Sequence, residues 1–145
     1  MSLLKVENLV VCYGPHPVLH CIDFEDEQGE VCVLLGLNGA GKTTTVSTVA
    51  GLLKPQQGRV LLDGKPLGRK SPSARVRQGI ALCPEGRRVF PRLTVRQNLM
   101  LGEKARGTKN GWTMEQCFEL FPRLEERQRQ HAGTMSGGEQ QMLAI

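Results

Sequence analysis

Val31-Cys32-Val33-Leu34-Leu35-Gly36-Leu37-Asn38-Gly39-Ala40-Gly41-Lys42-Thr43-Thr44 falls into three parts. Val31 to Leu35 is short, apolar and β-favouring, the pattern of a strand buried on both faces. Gly36 to Thr43 has the spacing Gly-x-x-x-x-Gly-Lys-[Ser/Thr]. A helix is predicted from about Gly41 to Leu53, with Val46, Val49, Ala50 and Leu53 on one apolar face and Pro55 forbidding continuation. Glycines let backbone N–H groups turn toward phosphate oxygens without a Cβ in the way, and the helix N-terminus adds a favourable dipole. Gly36, Asn38, Gly39, Ala40, Gly41, Lys42, Thr43 and Thr44 are therefore read as a cradle for a nucleoside triphosphate. In it Lys42 reaches the β- and γ-phosphates and the Thr43 hydroxyl ligates Mg²⁺. The cradle alone says P-loop NTPase, a class that includes GTPases, kinases and helicases.

Upstream, Leu3 to Tyr13 alternates loosely and meets Gly14-Pro15, a strand ending in a turn, and Val18 to Glu25 alternates again. Downstream, Gly58 to Leu62 reads as a strand, and Asp63-Gly64 as the tight turn of a hairpin leading to Pro66-Leu67. A short helix over Pro72 to Arg77, a brief strand over Ile80 to Cys83 and a loop over Pro84 to Pro91 follow. Thr94 is placed to cap a helix reaching about Leu101. A linker over Gly107 to Thr113 leads to a helix over Met114 to Phe121 and a helical piece over Pro122 to Gln130. Ser136-Gly137-Gly138 breaks the chain before a last helix, Glu139 to Ile145.

With 145 residues, 39% hydrophobic and 23% charged, the chain fits one compact domain. No run approaches the roughly 18 apolar residues of a spanning helix, and Met1 to Lys5 lacks the pattern of a secretion signal, so a cytoplasmic location is expected. Five cysteines, with no Cys-x-x-Cys pair or neighbouring histidines, fit reduced thiols better than a metal site. A net charge of +5 fits phosphate ligands and acidic partners as well as nucleic acid or anionic lipid. The basic stretches Arg69 to Arg77 and Arg123 to Arg129 read as solvated faces.

Thr134-Met135-Ser136-Gly137-Gly138-Glu139-Gln140-Gln141 resembles the Leu-Ser-Gly-Gly-Gln/Glu signature of ATP-binding cassette (ABC) proteins, with Met135 in place of Leu. Ser136, Gly137 and Gly138 at a helix start make a second anion site, with exposed N–H groups and a hydroxyl, and the resemblance adds Glu139 to it. The resemblance implies an α/β fold: a P-loop NTPase of ABC type, with a β subdomain, a RecA-like core and a helical subdomain. Residues 1–145 would be a partial ATP-binding domain, with about 84–135 as the loop and helical subdomain inserted in the core. In the family the signature closes over ATP held by a second ATP-binding subunit, so a homo- or heterodimer is implied. Tyr13 is placed like the aromatic that stacks on adenine. Glu85, in Cys83-Pro84-Glu85-Gly86-Arg87-Arg88, stands where the family usually carries a Gln that ligates Mg²⁺, in the loop that senses the transporter.

Pro84 to Val95 and Leu120-Phe121-Pro122-Arg123-Leu124 look like the branched-chain amino acid importer branch. That branch implies a peripheral subunit on the cytoplasmic face of the bacterial inner membrane. It uses ATP and Mg²⁺, works with transmembrane permease subunits and indirectly with a solute-binding protein, and involves no nucleic acid. A urea or other amide importer is the alternative solute reading. A DNA- or ribosome-associated cassette is disfavoured, because the interval between cradle and signature carries neither heptads nor paired cysteines.

A complete cassette continues past the signature helix into an apolar strand ending Asp-Glu and then a histidine. Val60 to Asp63 mimics that strand, but Gly64 follows it and it precedes the signature. His16, His20 and His131 also precede the signature helix. The catalytic set is thus expected to be incomplete in a truncated chain of marginal stability. Such a chain would bind ATP and hydrolyse it poorly, or would serve as a non-catalytic nucleotide-binding fragment.

Overall fold

Leu and Val dominate Ser2–Tyr13, which forms strand β1, and Gly14, at φ 60°, turns the chain into β2, His16–Glu27. The two pair antiparallel, with Tyr13 opposite His16 and Leu9 opposite Ile22. On its other side β1 pairs antiparallel with β3, Gln57–Leu62, with Val6 opposite Val60, and a two-residue β4, Lys65–Pro66, completes the order β2-β1-β3-β4. In the computed structural model residues 2–86, 88–106 and 111–145 are described, and the chain divides into two units, 1–82 and 83–145.

Val6 and Leu9 both face the core of the first unit although they stand three positions apart, which a strand of period two forbids. An irregularity between them, with Asn8 at φ 48°, adds the extra residue that returns Leu9 to the inner face. The freed Asn8 N–H donates to the Asp23 carboxylate at 2.8 Å. Asp63 and Gly64 have φ of 48° and 70°, the two positive values of a type I′ hairpin turn, as expected.

Helix α1, Lys42–Val49, forms after the glycine loop but stops short of Leu53. Gly51, at φ 81°, ends it: Leu52 N–H donates to Ser47 O at 2.9 Å and Gly51 N–H to Thr48 O at 3.0 Å, a left-handed C-terminal closure. Of the expected apolar face, Ala50 is buried and Val49 and Leu53 pack against the core, but threonines share the inner side. Thr44, Thr45 and Thr48 are buried, while Val46 is exposed. The hydroxyls tolerate burial because Thr45 Oγ1 donates to Gly41 O at 3.0 Å and Thr48 Oγ1 to Thr44 O at 2.7 Å.

The expected strands at Val31 to Leu35 and Ile80 to Cys83 are not formed. Val31 and Leu35 are each 89% exposed, the opposite of double burial. A buried strand needs a ladder on its flanks and cover on its faces. Among the described residues the ladders join β1 to β4 only, and none reaches 31–35.

Helix α2, Pro72–Val76, begins at Ser71, whose hydroxyl accepts from Ala74 N–H at 3.3 Å. Within the basic stretch 69–77, read as a solvated face, Arg75 is only 3% exposed. Its guanidinium reaches carbonyls at the end of α1 instead of water, so the stretch is solvated at Arg69, Lys70 and Arg77 but not at its centre.

In the second unit Thr94 caps α3, Val95–Arg106, reciprocally: its hydroxyl accepts from Gln97 N–H at 3.2 Å, and Gln97 Oε1 from Thr94 N–H at 2.9 Å. Thr113 caps α4, Met114–Leu120, in the same way, and α5, Pro122–Glu126, follows. The expected linker over 107–113 lies partly outside the described residues, at 107–110. A 3₁₀ turn, Ala132–Thr134, leads into α6, Gly137–Ala144. Val95, Leu124, Ala132, Met135 and Leu143 form the core of this unit. The described helices include none long and apolar enough to cross a membrane.

Candidate functional site

The glycine loop has the geometry the spacing anticipates. Gly39 and Gly41 lie at φ 89° and 91°, where a side chain is strained. A Cβ on Gly39 would meet nothing within 4 Å, whereas one on Gly41 would strike the Leu19 side chain of β2. Gly41 thus seats the start of α1 against β2, and Gly39 is required by its backbone conformation alone. Ala40 N–H donates to Leu37 O at 3.1 Å and closes the turn.

Lys42 folds back over this loop, its ammonium donating to Gly36 O at 2.6 Å and Leu37 O at 2.8 Å. Among the described residues the lysine is held by backbone carbonyls and no carboxylate, so its charge stays available to an anion seated in the same curve. Thr43 at the first turn of α1 is exposed, and Thr44 beside it is buried in the helix packing. Thr43 can therefore offer its hydroxyl outward, and Thr44 offers its backbone N–H. Left-handed glycines, a helix N-terminus, a held lysine and an exposed hydroxyl fit a magnesium-bound triphosphate.

Ser136 caps α6: its hydroxyl accepts from Glu139 N–H at 3.4 Å, and Glu139 Oε2 accepts from Ser136 N–H at 2.9 Å. Glu139 also pairs with Arg127 at 2.9 Å. The hydrogen bonds from Ser136, with Arg127 and Arg123 nearby, hold the Glu139 carboxyl below its ordinary value of 4.5. Glu139 is thereby an ionised cap that positions the helix start, and Gly138 has open space where its side chain would stand. Met135, in place of the family's Leu, is buried in the core of this unit, a site that asks only for an unbranched or γ-branched apolar side chain.

Tyr13 lies at the end of β1 with its ring half exposed, and Glu85 is exposed in the loop that opens the second unit. That loop is tied down further along. Asn98 of α3 donates to Phe90 O at 3.1 Å and accepts from Phe90 N–H at 2.8 Å. Gly133, just before the signature, approaches Pro91 so closely that a Cβ would lie 2.9 Å from the proline ring. Ala132 N–H donates to Leu93 O and Gly133 N–H to Pro91 O, both at 2.9 Å. The Pro91 to Thr94 stretch and the signature's lead-in are thus one hydrogen-bonded piece, a link that sequence reading missed. The Ser-x-x-Glu spacing at 136–139 was the signal for the reciprocal cap, while the pairing of Glu139 with Arg127 has no local signal.

The family model described as ABC transporter matches residues 19–145. The chain is 44% identical, over 99% of its length, to the high-affinity branched-chain amino acid transport ATP-binding protein BraG of Pseudomonas aeruginosa, and covers 62% of that protein. It is 34% identical, over its whole length, to the SkfA peptide export ATP-binding protein SkfE of Bacillus subtilis, and covers 60% of it. A solved nucleotide-free ATP-binding cassette from an ABC transporter superposes on all of the chain and 63% of its own, with TM-score 0.84 and 27% identity. The chain therefore spans somewhat under two thirds of the length of these relatives. The cradle, the capped signature helix and these likenesses agree, and the chain belongs to the ABC transporter family as part of its ATP-binding domain.

Proposed function

We propose that this chain is the nucleotide-holding part of an importer's ATPase subunit, for branched-chain or closely related amino acids. The observation that carries the reading is the loop 36–43, whose two left-handed glycines and carbonyl-held lysine precede the N-terminus of α1. The solute class rests on the higher identity to BraG than to the peptide exporter's subunit.

In this reading the loop amides from Gly36 to Gly41, with those of Lys42, Thr43 and Thr44, bind the phosphates. Lys42 neutralises their far end, the Thr43 hydroxyl would hold Mg²⁺, and Tyr13 stacks on the adenine. Magnesium held there would offset the charge on the phosphate oxygens. Ser136, Gly137, Gly138 and Glu139 serve a second cassette, offering hydroxyl and N–H groups to the nucleotide held there. The ionised Glu139 keeps the first turn of α6 in the shape that presents those donors. Binding closes two subunits together and hydrolysis separates them, and the permease subunits convert that cycle into transport at the cytoplasmic membrane face.

Isothermal calorimetry of Mg·ATP with the parent chain and Lys42→Ala tests the cradle. A loss of at least about tenfold in affinity is expected, the scale of a charge-assisted phosphate contact. Equal affinity in the two proteins would sink the reading.

A further inference from the structure

Arg75 is the most deeply buried charge described in the first unit, and the cradle chemistry does not use it directly. Its Nη1 donates to Thr48 O at 2.9 Å and Val49 O at 2.7 Å, and its Nη2 to Gly68 O at 3.0 Å. Thr48 and Val49 are the last two residues of α1, so the cation sits on the negative end of that helix. Gly68 follows Leu67, a core residue, so the same guanidinium ties the helix end to the sheet unit.

The arrangement is costly for mere packing. Nε is buried without a partner, no carboxylate pairs with Arg75 among the described residues, and desolvation lowers its pKa. What the burial achieves is the capping of three backbone carbonyls, which an apolar side chain of similar volume could not do. The backbone makes room for it as well. A Cβ on Gly51 would stand 2.8 Å from Arg75 Nε, 2.9 Å from its Cδ and 3.2 Å from Lys70 O.

The other end of α1 is the cradle. Eight residues of helix span about 12 Å, so a tilt of roughly ten degrees about the C-terminal end moves Lys42 and Thr43 by about 2 Å. Displacements of that size are large against hydrogen-bonding tolerance. We propose that Arg75 is a positioning residue for nucleotide binding: its fork fixes the C-terminal end of α1 on the sheet unit, and so sets where α1 presents Lys42 and Thr43 to the phosphates. The proposal rests on the nucleotide reading of the cradle.

Calorimetry with Mg·ATP and with inorganic tripolyphosphate, alongside far-UV circular dichroism, tests it on the parent chain, Arg75→Ala, Arg75→Lys, Gly51→Ala and Lys42→Ala. Arg75→Ala and Gly51→Ala should each weaken both ligands about tenfold with helix content kept. Millimolar methylguanidinium should restore Arg75→Ala to within about threefold of the parent. Arg75→Lys keeps the cation but cannot span three carbonyls, and should lose about threefold; it carries the test if the alanine variant does not fold. Parent-like affinity in folded Arg75→Ala or Arg75→Lys, with Lys42→Ala weakened, overturns the role of Arg75 and leaves the cradle standing. Equal affinity in Lys42→Ala and the parent overturns both.

Discussion

Ser136 and Glu139 make a helix start out of four residues, and each depends on the other. The hydroxyl and the carboxylate satisfy reciprocal backbone donors, and the hydrogen bonds from Ser136, with a smaller contribution from Arg127, favour the ionised carboxylate. Because the folded pKa of Glu139 lies below its ordinary 4.5, its contribution is fully present above that value and is lost as pH falls through the folded pKa. Glu139→Gln keeps an acceptor but removes the titration. The difference in melting temperature between parent and Glu139→Gln should therefore be constant near neutrality and shrink on acidification below 4.5. A difference unchanged down to the acid limit of folding would show that the ionised form adds nothing. Ser136→Ala should cost about 1 kcal/mol at neutral pH by the loss of the cap, measured by urea unfolding.

At the scale of elements, the β1–β3 pairing turns on one glycine. Gly58 lies at φ 81°, and a Cβ there would collide with the backbone carbonyls of Glu7 and Asn8, at the irregularity that sets the inner face of β1. Backbone cannot give way as a side chain can. Gly58→Ala should destabilise the chain by about 2 to 5 kcal/mol, combining left-handed strain with overpacking. The urea midpoint should fall with little change in slope. Parent-like stability would mean that β3 slides past β1 without penalty. Helix α1 makes the complementary point: buried threonines share its inner face with Ala50, and the Thr45 and Thr48 hydroxyls each find a carbonyl one turn back.

At the scale of the whole molecule, the described residues include an exposed apolar run in the stretch that leads into the cradle. Val31, Val33, Leu35 and Leu37 are between 67% and 89% exposed, and none lies in a sheet ladder. Extended, apolar and unpaired backbone templates association between chains. Light scattering of the chain should rise with concentration, and the double variant Val33→Lys with Leu35→Lys should suppress that rise. Scattering that is the same in both proteins would place the association elsewhere.

The sequence by itself determined the motifs and the local elements: the cradle spacing, the hairpin at Asp63-Gly64, the cap at Thr94, and the strands at either end of Gly14. Each depends on residues within one or two turns of one another, where steric limits and backbone donors leave few choices. Only the tertiary structure decided the rest. Arg75 could not be told from its solvated neighbours by composition, because its burial depends on carbonyls 26 and 27 positions earlier in the chain. Val31 to Leu35 has a strand's composition, yet composition supplies no partner. A strand exists only when a neighbour completes its hydrogen bonds, and that is a property of the assembled fold.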